Sequence, residues 1–453
     1  MLPSGVAAGH PATVAAGIEV LEDGGTAADA AVAACLASCV AETVMTGLLG
    51  GGHAIYWDGA DAWNLDCFVD VASGSGAAPV ELQVPFGEEL VHYAVGPGTC
   101  AVPGLPRGLD ALHERFGRLP WERLVEPALE LARTGVVMPP AHAACLAMLG
   151  PVFTLQPDGR RIYAPAGRLL EPGETLEQPG LVYALELLAA EGADGFYEGS
   201  IAALLIAVDG VPVSADDLAR YEARWTHPDA VEWTGRRVLT RAGLSGVPET
   251  LGRLPRLRGL DETERVHALL AALAGPEAGG HTTNLVTADA NGHVCTLTSS
   301  LGLGTGDFLP GLDVQLNSML GEVDLVRAPL RPGERMQSMM APTLALGRDG
   351  LELAIGSAGG TRLRTALVGV AAGILDERLA PVEAVERPRF HRTGDVINAE
   401  PGVDERALEE LAEAGLQVRR WPGRHHYFGG VSLIGVAGAA GDPRRSGHAR
   451  SLT

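Results

Sequence analysis

The chain contains no lysine. With lysine go the Schiff-base amine, the pyridoxal-phosphate anchor and the phosphate-loop cation. Excess positive charge is missing too: 34 basic residues stand against 56 acidic ones, for a formal net charge of -22. Nucleic acid is therefore not an expected partner, because phosphate binding needs a basic face. The six cysteines are scattered and none forms a CxxC pair. Cys35 and Cys39 fall in an Ala-rich helical run where buried thiols are common, so neither a disulfide framework nor a zinc site is expected. No apolar run reaches the roughly 18 residues of a membrane span. The opening MLPSGVAAGHPAT lacks a basic stretch followed by an apolar core, which points to no signal peptide and a cytoplasmic protein.

What is present suits a soluble globular protein: 453 residues, 46% hydrophobic and 20% charged, enough for two average domains or one large layered one. ATVAAGIEVLEDGG is apolar at helical spacing and stopped by Gly24-Gly25. AADAAVAACLASCVAE is rich in small residues all round, the composition of a helix buried on several sides. After the break Gly47–Gly52, HAIYW reads as a strand. VPGLPRGLDALHERFG and WERLVEPALELARTG read as amphipathic helices, residues 151–180 as a Pro/Gly-dense variable stretch, and DDLARYEARW as the start of a further helix. Near residue 280 the character changes. TTNLVTAD, a turn at Ala290-Asn291-Gly292 and HVCTLTSS predict a β-hairpin of β-branched residues. LELAIGS predicts a strand and TRLRTALVGVAAGIL a helix. Helices flanking antiparallel sheets are the expected architecture.

Three groups of residues carry chemistry. Thr282-Thr283 opens the hairpin, and a Thr pair entering a strand needs no more explanation than β-propensity. A functional reading needs a base, since a neutral hydroxyl is a weak nucleophile. Were the bond before Thr282 cut, the freed α-amine would sit on the same residue as the hydroxyl and accept its proton. The preceding Gly279-Gly280 would allow the tight geometry that an N-to-O acyl shift requires. The second group, Gly356-Ser357-Ala358-Gly359-Gly360, joins a strand to a helix. It reads as a turn and helix cap, or as an oxyanion hole whose backbone N–H groups face developing negative charge. A phosphate loop is a third reading, weakened by the missing lysine. In the third group, Ser300 and Thr298 share a strand face, so both can stand beside Thr282 or both can be solvated hydroxyls. His425-His426 lacks carboxylates at ligand spacing and reads as a surface or structural pair. Asp442 to Arg445 reads as a turn with an ion pair. Glu322 and Asp324 suit a cationic group or water, and charge alone favours water.

Several segments together resemble the gamma-glutamyltransferase family of N-terminal-nucleophile hydrolases. GVAAGHPATVAAGIEVLEDGGTAADAAVAA with TGLLGGGHAIYW is similar to its N-terminal signature, and VPGLPRGLDALHERFGRLPW to its next block. TTNLVTADANGHVCTLTSS resembles the stretch that starts at the nucleophile. LNSMLGE, SMMAPT, GSAGGTR, RPRFH and GDPRRSGHA follow in family order. The resemblance implies an α+β fold, the four-layered αββα sandwich. It also implies self-cleavage into a large fragment, 1–281, and a small one, 282–453, that stay associated. Thr282 becomes the nucleophile of both processing and catalysis. Ser300 stands where a Thr usually activates it, Gly359 and Gly360 match the oxyanion-hole glycines, and Ser338 matches one of two serines that hold a substrate carboxylate. No cofactor or metal is implied, and the partner is a small-molecule substrate.

The departures concern substrate. The carboxylate-binding arginine falls at Phe68, and the second carboxylate serine is Met339. Around the glutamyl amine, Gly302 stands for Asn, Met319 for Gln and Glu322 for Asp. Losing the arginine forfeits a charge-assisted bidentate bond. The expected activity is hydrolysis or transfer of an acyl group through a Thr282 ester, with glutathione an improbable donor. Two alternatives stay open. One is hydrolysis of a carbon–carbon bond beside a carbonyl, as in family members similar to enzymes of alkylproline-type antibiotic pathways. The other is an unprocessed chain that acts as a binding protein.

Overall fold

The hairpin lies at the centre of the molecule. Its strands Thr283–Ala288 and Val294–Ser300 pair antiparallel from Thr283↔Ser299 to Ala288↔Val294. Asp289 closes the turn by accepting the Asn291 and His293 backbone N–H groups at 2.8 and 3.1 Å. These strands belong to a seven-stranded antiparallel sheet. Its order is His448–Ser451, Gly5–Ala8, Thr283–Ala288, Val294–Ser300, Gly51–Trp57, Ala62–Cys67 and Arg224–Thr226. A second antiparallel sheet of six strands runs Gly438–Gly441, Gly430–Gly435, Gly350–Ala358, Thr343–Gly347, Arg236–Thr240 and Asp229–Trp233. The computed structural model describes residues 1–86, 89–275, 282–322, 325–326 and 329–452.

Alternation along each strand sorts side chains between two cores. On the hairpin, Val286, Ala288 and Val294 face the second sheet, where they meet Leu344, Ala354 and Ile434. Leu285, Cys295 and Leu297 face the other way and pack against helices. Helix Ala27–Ala41 forms there because Thr26 and Asp29 make a capping box, and all fifteen of its residues are buried. Its small side chains let helix Pro11–Glu22 and the sheet approach from different sides. Helices Val247–Arg253, Glu262–Leu273, Arg362–Leu375 and Pro381–Glu386 cover the outer face of the second sheet. The layers are helices, sheet, sheet and helices, the αββα sandwich. Each fully buried Leu, Ile or Val in these cores stabilises the fold by about 1.5–3 kcal/mol.

Two segments differ from expectation. DDLARYEARW yields only the short helix Ala215–Arg220, while Arg224–Thr226 is an edge strand. Tyr221 ends the helix because its ring is buried and its hydroxyl donates to the Phe68 carbonyl at 2.6 Å. That anchors the chain beside the open edge at Asn64–Asp66, with which the following residues pair. Within 151–180 there is a helix, Pro157–Tyr163, and a two-residue strand, Thr175–Leu176. Among the described residues, no helix is long and apolar enough to cross a membrane. All six cysteines are buried and free.

Candidate active site

The register of the first sheet lines up the candidate residues. Continuing the hairpin pairing one step beyond Thr283↔Ser299 sets Thr282 opposite Ser300. Ser300 pairs with Gly51, and the step beyond Gly52↔Cys67 sets Gly51 opposite Phe68. Thr282, Ser300, Gly51 and Phe68 thus form one row across four strands, facing the second sheet. The next row inward is Asn284, Thr298, His53 and Asp66. The Thr298 hydroxyl and the Asn284 amide share a hydrogen bond of 2.7 Å, so Thr298 supports the hairpin beneath Thr282.

Opposite Thr282, strand Gly350–Ala358 ends and Gly359-Gly360 turns the chain into helix Arg362–Leu375. The Gly359 N–H donates to Thr282 Oγ at 3.2 Å, and both residues are buried. Gly359 adopts φ +133°, and a Cβ there would lie 2.6 Å from Gly429 Cα. Only glycine suits both the dihedral and the space. Gly360 follows in the same turn at φ +59°. The turn thus brings a backbone donor to the Thr282 hydroxyl. Ser300 is buried and its Oγ accepts the Gly302 N–H at 2.9 Å. Gly279-Gly280 and Asp324, also singled out by sequence, lie outside the described residues.

The far end of the row is apolar. Phe68, Met319 and Met339 are buried in one cluster with Val69, Leu325 and Met336. Ser338 is buried beside them, with Oγ accepting the Met340 N–H at 3.1 Å. Phe68 stacks on His53 at 5.6 Å between ring centroids. Burial and the nearby Arg241 hold His53 well below its usual pKa, so the imidazole is neutral. Arg335 lies close by, but its guanidinium is engaged by Asp70 at 2.5 Å, Asp66 at 2.7 Å and the Asp66 and Glu222 carbonyls.

Glu322 does not face water, contrary to the reading from charge. It is buried, and Oε1 accepts the Leu303 N–H at 3.2 Å. A Cβ on Gly302 would sit 2.9 Å from that oxygen and 2.6 Å from Ser318 Oγ. The longer acid occupies the space that a side chain at 302 would need, so the two departures are coupled. His425 caps a short helical turn by accepting the Tyr427 N–H at 3.1 Å, a structural role. Asp442 to Arg445 is a turn with ion pairs, and the pairs are buried. Arg444 pairs with Glu400 at 2.5 Å and Asp442 at 3.3 Å, and Arg389 pairs with Asp442 at 2.5 Å, all buried.

Sequence reasoning missed Glu42. It follows the buried helix Ala27–Ala41, accepts from Thr13 Oγ at 2.6 Å, and accepts a short hydrogen bond from Thr283 Oγ. Burial pushes its carboxyl up to about 7, although the two hydroxyls and the Arg445 charge favour ionisation. An acid directly after a helix buried on all its residues was the available signal.

The gamma-glutamyltranspeptidase family profile matches residues 13–274 and 256–452. The chain is 28% identical to the acylase ACY 1 proenzyme of Pseudomonas sp. (strain SE83), over 95% of this chain and 89% of that one. It is also 28% identical to a glutathione hydrolase proenzyme of Pseudomonas aeruginosa, over 95% and 91%. The fold superposes on cephalosporin acylase from Bacillus halodurans with TM-score 0.84, 22% identity and coverage of 100% and 96%. The fold and the extent of these matches make the chain a divergent member of the gamma-glutamyltranspeptidase family, a hydrolase or transferase of that kind.

Proposed function

We propose that the chain is a self-cleaving acylase whose nucleophile is Thr282. The observation that carries this reading is the Gly359 N–H directed at Thr282 Oγ at 3.2 Å, at the head of the central hairpin. Cleavage before Thr282 leaves fragments 1–281 and 282–453 and frees the α-amine. Thr282 Oγ then attacks an amide carbonyl while its proton passes to that amine. The Gly359 and Gly360 N–H groups stabilise the oxyanion. The amine returns the proton to the leaving nitrogen, and water or a second amine takes the acyl group from the ester. Ser300 orients the hydroxyl. The Phe68, Met319 and Met339 cluster favours an acyl group with little charge, since an unpaired ion would lose its hydration there without replacement. The names of relatives support amide chemistry: acylase and glutathione hydrolase, each named a proenzyme.

The test begins on a denaturing gel. Purified protein should give bands of about 29 and 18 kDa, dividing 47.0 kDa in proportion to fragment length, and the smaller should begin Thr-Thr-Asn. Thr282→Ala should remain one chain. Cleavage of the Ala variant removes Thr282 as nucleophile, and an intact wild type favours the binding-protein reading.

A further inference from the structure

A small cavity behind the nucleophile is lined by Thr282, Thr283, Glu42, His142, Asp442 and Arg445, among others. Two of its charged residues approach different neighbours. The Glu42 carboxylate bonds to Thr283 Oγ, one residue from the Thr282 nitrogen. A Cβ on Gly9 would lie 2.4 Å from Glu42 Oε2 and 3.0 Å from Thr283 Oγ, so glycine alone lets the acid and the hairpin meet. Arg445 lines the same cavity next to Gly359. Its Nη2 is 3.3 Å from where a Cβ on Gly359 would stand, and Nη1 lies 3.1 Å from Met45 Sδ. The remaining groups around Glu42 are the hydroxyl of Thr13, His10 and His142 (rings 5.3 Å apart) and Asp442. Burial lowers His10 to about 4 and His142 to about 3, so both are neutral where an amine can act as a base.

We infer that Glu42 is a positioning residue for the N-terminal nucleophile. Its carboxylate fixes the start of the hairpin through Thr283 and supplies the counter-charge for the α-ammonium that forms when Thr282 Oγ gives up its proton, while Arg445 backs the oxyanion donor Gly359. The cavity is thus polarised along the direction in which charge develops: negative toward the ammonium, positive toward the oxyanion. This rests on the proposed role of Thr282 and adds a residue to it. The balance is simple. An O–H bond of Thr282 breaks, an N–H bond forms on its own nitrogen, and Oγ bonds to the electrophile. Glu42 takes no proton in this step. Its carboxyl, pushed up to about 7 by burial, must be ionised for the full effect.

The probe is phenylmethanesulfonyl fluoride, which needs no knowledge of the natural substrate. Oγ bonds to sulfur, fluoride leaves and the proton goes to the α-amine. Labelling of the Thr282 peptide in processed protein, followed by mass across pH 5 to 9, should rise as the amine deprotonates. In Glu42→Gln the rise should move down by about one pH unit, because a lost neighbouring carboxylate lowers the basicity of an amine. Thr283→Val removes a hydrogen bond that favours the ionised acid, so Glu42 should carry less charge near neutral pH and the rise should also move down, by less than in Glu42→Gln. If Glu42→Gln fails to mature, Thr283→Val decides alone. Wild-type protein labelled at Thr282, with an unmoved rise in the deciding variant, overturns the role of Glu42. Processed wild type that takes no label at Thr282 at any pH overturns the nucleophile reading itself.

Discussion

One row of residues joins two unlike ends. At Thr282 the neighbours are a backbone donor, the Ser300 hydroxyl and a buried acid bonded to Thr283. Three strands away, Phe68 stacks on the neutral His53 within a cluster that holds methionine, valine and leucine. The first end suits a reaction in which charge appears and must be met by fixed dipoles. The second suits contact with an acyl group by area and shape. Under the proposed function, the two ends of the row divide bond-breaking from substrate choice. One end can change its chemistry while the other keeps its geometry.

The sharpest way to break that contrast is at Gly359. Gly359→Ala puts a Cβ 2.6 Å from Gly429 Cα and strains φ +133°. Turnover should fall by about 10²- to 10³-fold, as when an oxyanion donor is displaced. A kcat within threefold of wild type would detach Gly359 from the chemistry. Next is Ser300→Ala, expected to slow processing and turnover together by roughly 10- to 100-fold, because both use the Thr282 hydroxyl. Normal processing with only a raised KM would move Ser300 to the substrate end.

The smallest effect is expected at the apolar end. Processed enzyme should act poorly on γ-glutamyl-p-nitroanilide, and Phe68→Arg alone should not restore it, since Gly302 and Met319 leave the glutamyl amine unsupported. That variant should also melt earlier, because it puts an ion where a fully buried ring stacks on His53. A kcat/KM above about 10⁴ M⁻¹s⁻¹ for the glutamyl anilide would collapse the contrast. It would turn attention to Arg241, which donates to the Met340 carbonyl at 3.2 Å beside Ser338.

Local pattern made much of this legible. The all-round small residues of Ala27–Ala41 announced a helix buried on several sides, and the β-branched run after Thr282 announced the hairpin. The pairing of Thr282 with Ser300 follows from the turn, because the register of a hairpin is fixed by its loop. Contacts between distant segments were not legible. Arg335 meets Asp66 and Asp70 across more than 260 positions, and Arg444 meets Glu400 across 44. No spacing rule reports such pairs. The exchange at Gly302 and Glu322 looked like two separate losses until both occupied one space. DDLARYEARW misled because the helical spacing carried no sign that Tyr221 would be drawn to the Phe68 carbonyl.

The sheet order has a consequence for handling the protein. Strand Gly5–Ala8 pairs with Thr283–Ala288 on one side and His448–Ser451 on the other. In the second sheet, Arg236–Thr240 pairs with Thr343–Gly347. A cut before Thr282 severs no ladder, and each product would leave exposed strand edges if it came away alone. The two pieces should therefore migrate as one particle at working concentrations, melt in a single transition, and fail to re-form from separately refolded halves as readily as they form from one chain.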